Sequence, residues 1–274
     1  MIENMAKNLV MLKQEFKRIY KGTSHIQEII PNSKSDEFPL DETHLNLLHL
    51  FAEKNPIYYN SYEQKIAKTH CVVYEGDINE YWLNSIQHRS SRAPFSPTWI
   101  LSAYLITLLA KAVGYKDAID IGSGDGRIAY CAKILGFKTH GIEIDNELVE
   151  LQKLISASTK YDFHPNCVDA TKFDYATLNL TNPIFFIGGL AKMGGDILAN
   201  SIIEKINSDS NLRKNTGMVL AGTLSKKYSS ENMSEGGWGS IIEKNNLKAI
   251  QTITLPTVWT FDQPDDTPYI FVDF

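Results

Sequence analysis

Residues 117–129 read Asp-Ala-Ile-Asp-Ile-Gly-Ser-Gly-Asp-Gly-Arg-Ile-Ala, and residues 140–144 read His-Gly-Ile-Glu-Ile. The apolar run from Ala118 to Ile121 meets three glycines, and from Arg127 to Leu135 apolar residues recur at helical spacing until Gly136. This is the pattern of strand, tight turn and helix. Gly122, Gly124 and Gly126 leave bare backbone against which a ligand can lie. A dinucleotide fingerprint needs G-x-G-x-x-G, but Arg127 stands where its last glycine belongs and Gly126 falls one residue early, so NAD is disfavoured. Asp125 inside the turn opposes a pyrophosphate at the helix N-terminus, where unpaired N–H groups attract anions; a ligand with a cationic centre is expected instead. Glu143 ends the second apolar run at the separation where an acidic side chain accepts from ribose hydroxyls, which implies adenosine. Asp169 follows a third strand-like run, Phe163 to Val168.

Composition narrows the class. At 274 residues the chain accommodates one large domain with an appendage or two of modest size, and 43% hydrophobic with 22% charged residues excludes a disordered tail as its main content. A net charge of −5 argues against gripping nucleic acid through a basic face. Cys71, Cys131 and Cys167 are odd in number and widely spaced, so neither a disulfide framework nor a zinc knuckle is indicated, and a reducing, cytoplasmic compartment is expected. The start, Met1-Ile-Glu-Asn, lacks a basic region followed by an apolar core, and the longest apolar stretch, Trp99 to Ala110, is too short and polar to span a membrane.

Before the glycine turn, Ile2, Met5, Leu9, Leu12, Phe16 and Ile19 predict an amphipathic helix closed by Gly22, its stripe a packing surface. Residues 31–41 read as a loop, and Asp41 caps a helix over 42–54 that Pro56 stops. His44 and His49 lie in that helix five apart, the wrong separation for ligands on one face, and no metal site is expected. Residues 57–92 are aromatic-rich, with a helix expected over 77–88. Ser96-Pro97 reads as a cap with proline at the first position of a helix running to Gly114.

The motif Asp120-x-Gly122-Ser-Gly124-Asp-Gly126-Arg-Ile closely resembles motif I of the class I, seven-strand S-adenosylmethionine-dependent methyltransferases. The resemblance implies that the loop formed by Asp120, Gly122, Ser123, Gly124, Asp125 and Gly126 receives the methionine end of S-adenosylmethionine. It also implies that Glu143 holds the ribose diol and that Asp169 meets the adenine amine. The segment Pro94-Phe-Ser-Pro-Thr98 is similar to the Pro-aromatic-x-Pro-Thr lead-in of archaeal and mitochondrial seven-strand protein-lysine methyltransferases, where it lines the cofactor and lysine channel. That implies Phe95, Pro97 and Thr98 as channel residues; the alternative is a helix cap.

Beyond the motif, a helix is expected over 146–156, and the wholly apolar Pro183-Ile-Phe-Phe-Ile187 is expected as a parallel strand buried on both faces. At its end stand Gly188, Gly189 and Leu190, not the Asp/Asn-Pro-Pro-aromatic signature of nucleobase and glutamine amine methyltransferases, nor the Pro-Cys pair of cytosine carbon methyltransferases. This region is loosely similar to histone-lysine methyltransferases lacking a SET domain, which carry Asn where Gly188 and Gly189 stand. A helix through Ile202, Ile203 and Ile206 and a strand over 217–222 follow. Residues 228–239 read as a lid or an untidy surface loop, and 247–255 with 269–274 as a closing antiparallel pair.

The expected architecture is α/β: a doubly wound, Rossmann-like seven-strand methyltransferase sheet over 93–274, preceded by a small, mainly helical domain over 1–92. The expected activity is methyl transfer from S-adenosylmethionine to a protein lysine. Methylation of RNA or a small molecule, a non-catalytic cofactor-binding or interaction module, and an aminopropyl transferase are the alternatives. A protein substrate is expected as partner ahead of nucleic acid, with no membrane; the oligomeric state stays open.

Overall fold

Helix α1 (Ile2–Ile19) buries Met5, Leu9, Leu12 and Phe16 on one face, as their spacing predicts. In the computed structural model, which describes residues 1–87, 95–188, 194–220, 238–256 and 266–274, this stripe is a packing surface. Strand β1 (Ile26–Pro31) is buried along its whole length. Helix α2 (Glu42–Lys54) starts where expected, with the Asp41 carboxylate accepting from His44 N at 3.1 Å. Its two histidines serve packing: His44 Nδ1 meets the Tyr104 hydroxyl at 2.9 Å, and His49 bridges the Tyr74 hydroxyl and the Pro31 carbonyl.

The aromatic-rich segment holds a hairpin, β2 (Tyr58–Ile66) and β3 (Thr69–Gly76), before helix α3 (Asn79–Gln87). With β1 it forms an antiparallel sheet of order β1-β3-β2. Residues 1–87 are therefore mixed α/β where the sequence suggested mainly helix. The expected boundary near residue 92 lies outside the described residues. The apolar cluster of this segment is continuous with that of the larger sheet, from Met5 and Phe51 through Tyr130 to Phe271.

Helix α4 (Ile100–Val113) begins after Trp99, three residues later than the Ser96 cap predicts, and ends at Gly114 with φ 114°. The physical reason is tertiary: Ile100 N donates to the Glu28 carboxylate at 2.9 Å, so a side chain from β1 satisfies the helix start. Strand β4 (Asp117–Ile121) and helix α5 (Arg127–Ile134) flank the glycine turn. Strand β5 (Lys138–Glu143), helix α6 (Asn146–Thr159) and the short strand β6 (Pro165–Cys167) follow. Then come β7 (Pro183–Ile187), α7 (Gly195–Ser208), α8 (Ser210–Arg213), β8 (Gly217–Leu220), α9 (Trp238–Lys244), β9 (Lys248–Pro256) and β10 (Asp266–Asp273).

The large sheet has the order β6-β5-β4-β7-β8-β10-β9. The first five strands run parallel, and β10 pairs antiparallel with both β8 and β9, which is the expected closing pair. This is a doubly wound, Rossmann-like α/β fold. Alternate side chains of β7 feed the two faces: Ile184 and Phe186 join the cluster under α1, α4 and α5, while Phe185 and Ile187 join the one under α7 and α9. Chain order reverses between β4 and β7, and the crevice beyond their C-terminal ends is where such sheets bind ligands. Among the described residues no helix is long and apolar enough to cross a membrane.

Candidate functional site

Beyond Ile121 the chain turns through three left-handed glycines, Gly122 (φ 68°), Gly124 (φ 57°) and Gly126 (φ 80°). Ile121 pairs with Ile187 across the switch point, so Gly122 and Gly188 both lie just past the strand ends, and a side chain at either would meet open space. Gly189 and the 228–237 part of the expected lid lie outside the described residues. Gly124 needs its missing Cβ for a different reason: an added atom would stand 2.5 Å from Cε2 of Phe95. The Phe95 ring therefore lies directly on the turn, with the Tyr81 ring edge-on to it at 6.4 Å. Pro97 is buried, and the Thr98 hydroxyl meets the Tyr269 hydroxyl at 2.9 Å.

Glu143, the last residue of β5, reaches back toward the turn. One oxygen accepts from Gly124 N at 2.9 Å, the other from Ile144 N at 2.8 Å and Asp145 N at 3.0 Å. Burial pushes its carboxyl up, opposed by these three N–H groups. A carboxylate offers about four acceptor positions, so one remains for a ligand unless the Gly124 bond is exchanged. Ser123 Oγ accepts from Gln152 Nε2 at 2.9 Å, and the same nitrogen donates to the Gly124 carbonyl at 2.8 Å, tying the turn to α6. Asp120 lies buried beneath the turn, accepting from Ala129 N at 3.2 Å; burial, with Glu143 and Asp125 nearby, pushes its carboxyl up to about 8. Val168 N donates to the Glu143 carbonyl at 2.8 Å, which puts Asp169 beyond the same strand ends. The Asp169 carboxylate accepts from the Thr171 hydroxyl at 2.6 Å and the Thr171 N–H at 2.9 Å, and the hydroxyl above all holds it below the usual carboxylate range.

Asp125 departs from the sequence reading. Its carboxylate does not offer a free charge to a cationic ligand: it is paired with Arg127 Nη2 at 2.6 Å and Nε at 2.9 Å, and accepts from Asn55 Nδ2 at 2.9 Å. Arg127 Nη1 in turn donates to Glu28 at 3.1 Å and to the Thr98 carbonyl, and Nη2 donates to the Tyr58 hydroxyl at 3.2 Å. Sequence reasoning missed Glu28, Asn55 and Tyr58. A signal was present for Glu28, a carboxylate between Ile26 and Ile29-Ile30, where burial demands a partner. Nothing local marks Asn55, which meets Asp125 only in the folded chain.

The site thus brings together Asp120, the glycine turn, Ser123, Glu143 and Asp169, with Phe95 and Gly188 at its rim. Two acidic groups beyond adjacent strands, with open space over Gly122 at the turn, fit a ligand rich in hydroxyl and amine donors, such as an adenosine. No protein-family model matches the chain, and no curated protein matches it. Among solved structures it is similar to a tRNA (uracil-54, C5)-methyltransferase from Pyrococcus abyssi in complex with S-adenosyl-L-homocysteine, at 10% identity and TM-score 0.45, over 62% of this chain and 38% of that one. It is also similar to a precorrin-6y C5,15-methyltransferase from Geobacter metallireducens, at 15% identity and TM-score 0.43, over 62% of this chain and 85% of that one. A glycopeptide N-methyltransferase complexed with S-adenosylmethionine aligns at 10% identity and TM-score 0.45, over 63% of this chain and 93% of that one. Likenesses at this level bear on neither substrate nor residue roles.

Proposed function

We propose that this protein is an S-adenosylmethionine-dependent methyltransferase and that its acceptor is a protein lysine amine. The observation that carries the cofactor half is the meeting of the Gly122–Gly126 turn, Glu143 and Asp169 beyond adjacent strand ends at the switch point. When bound, the cofactor supplies an electrophilic methyl group on a positively charged sulfur. Glu143 would accept from the ribose hydroxyls and Asp169 from the adenine amine, and the methionine end would lie in the open space over Gly122, beside Ser123 and Gly124 of the same turn. Asp120 and Asp125 act from behind the turn, the first through α5 and the second through Arg127. Gly126 belongs to the same turn; an added Cβ there would collide with Phe163.

For the acceptor, the support is the Phe95-Ser-Pro-Thr98 segment, whose aromatic ring lies on Gly124, together with the missing nucleobase signature at Gly188. A lysine amine must be neutral to attack, and with a reference pKa of about 10.4 only a small fraction is neutral near neutral pH. The edge-on rings of Phe95 and Tyr81, walling an acceptor channel, would disfavour the ammonium by desolvation, so the chain would contribute positioning and water exclusion rather than a dedicated base. A non-catalytic cofactor-binding module is the second reading, favoured by Gly188, which carries no side chain to orient an amine. The test is incubation of the protein with methyl-labelled cofactor and host extracts, followed by mass spectrometry. Label on lysine side chains, at a rate rising between about pH 7 and 9, supports the first reading. Label confined to RNA or metabolites overturns the lysine acceptor, and no label in any fraction counts against methyl transfer.

A further inference from the structure

The N-terminal segment enters the proposed chemistry only through Tyr81, yet it supplies partners to a cluster of deeply buried charges beside the cofactor turn. Glu28, Asp125 and Arg127 are 1%, 1% and 3% exposed. Charges so placed are costly unless they are paired and hydrogen-bonded, and here they are. Asp125 accepts four bonds: Arg127 N at 3.3 Å, Nε at 2.9 Å, Nη2 at 2.6 Å, and Asn55 Nδ2 at 2.9 Å. The guanidinium gives its remaining bonds to Glu28, the Thr98 carbonyl and the Tyr58 hydroxyl, and stacks over the Phe51 ring at 5.9 Å. Glu28 is completed by Ile100 N at 2.9 Å and Ile29 N at 3.3 Å. A buried network of this kind holds one arrangement, because a shift of Arg127 orphans a charged group.

What it holds is informative. Asp125 sits between the two left-handed glycines Gly124 and Gly126, so fixing its side chain fixes the middle of the turn. Thr98 closes the Phe95-Ser-Pro-Thr98 segment, so fixing its carbonyl fixes the rim that places the Phe95 ring on Gly124. We propose that Arg127 is a positioning residue that sets the cofactor turn and the acceptor rim in register with each other, and that Asn55 and Glu28 make the N-terminal segment an integral part of the cofactor site. This rests on the methyltransferase reading. It assigns residues 1–87 a task in cofactor binding that the core packing of α1 does not require.

The test uses the full chain with Arg127→Lys, which keeps the charge but loses the fork, and Asn55→Ala, which removes one bond to Asp125 and leaves the ion pair. S-adenosylhomocysteine affinity is measured by calorimetry, and folding by the melt of the apo protein. The expected result is affinity weaker by about tenfold for Arg127→Lys and about threefold or more for Asn55→Ala in protein that is still folded. KM for the cofactor rises, while kcat is recovered at saturating cofactor, a split that simple destabilisation does not produce. If Arg127→Lys fails to fold, Asn55→Ala decides alone. Affinity within about twofold of wild type in the folded variants overturns the proposal and leaves the network a structural device. Wild-type protein that binds no S-adenosylhomocysteine overturns the methyltransferase reading and this proposal with it.

Discussion

Exchanging Glu143 for glutamine replaces one carboxylate oxygen by an amide nitrogen and tests the ribose contact with little change in shape. The amide oxygen retains Ile144 N and Asp145 N, which bind the same carboxylate oxygen at 2.8 and 3.0 Å, so the amide nitrogen faces Gly124 N, now donor against donor. Two consequences follow in different observables. The apo protein loses one hydrogen bond of about 1–2 kcal/mol, partly offset because a neutral amide is cheaper to bury than the carboxylate. The ligand loses a charge-assisted bond of about 1.5–3 kcal/mol, which is about tenfold to a hundredfold in affinity. Calorimetric titration with S-adenosylhomocysteine, beside a denaturant melt of the apo variant, separates the two. Unchanged affinity in a folded variant would refute the assignment of Glu143 to the ribose.

Three further perturbations follow from the same geometry. Burial raises the Glu28 carboxyl to about 7 although Arg127 opposes it, so the folded state holds a proton that the unfolded chain releases near its ordinary value. The stabilisation is complete below that ordinary value and is lost as pH rises through about 7, on the order of 3–4 kcal/mol; melts between about pH 4 and 8 should show the fall, and Glu28→Gln should flatten it. Gly124→Ala adds a methyl 2.5 Å from Phe95 Cε2 at φ 57°, and should cost about 1–3 kcal/mol as well as cofactor affinity. Phe95→Ala in the same chain should restore part of the stability, and a double-mutant cycle with no coupling would contradict the contact. Leu9→Ala empties a fully buried position in the α1 stripe and should lower unfolding free energy by about 2–5 kcal/mol without altering cofactor affinity at temperatures well below the melt.

The parts of the molecule that were legible in the sequence are those whose cause is local. The glycine turn announces itself because strand, turn and helix signals fall within 13 residues, 117–129, and α2 because its cap and its stop are both adjacent in sequence. The closing strands show as β-forming runs. The β2–β3 hairpin does not, because its two-residue turn is Ala67-Lys68, with Ala67 at φ 53°, a conformation that usually selects glycine or asparagine. Nor does the true start of α4, since the group that satisfies it, Glu28, lies 72 residues away. In the site, Glu143 and Asp169 could be read from strand ends, but the direction of Asp125 could not: its partner Asn55 is 70 residues distant, and the choice between facing a ligand and facing Arg127 is made by tertiary packing.

The central claim is that the crevice at the β4–β7 switch point binds S-adenosylmethionine and its product. Calorimetric titration of the wild-type protein with S-adenosylhomocysteine, and separately with NAD, tests it most directly. The account predicts saturable, one-to-one binding of S-adenosylhomocysteine, weakened in Glu143→Gln, and no measurable heat with NAD. Tight NAD binding, or no S-adenosylhomocysteine binding by folded protein, would contradict it.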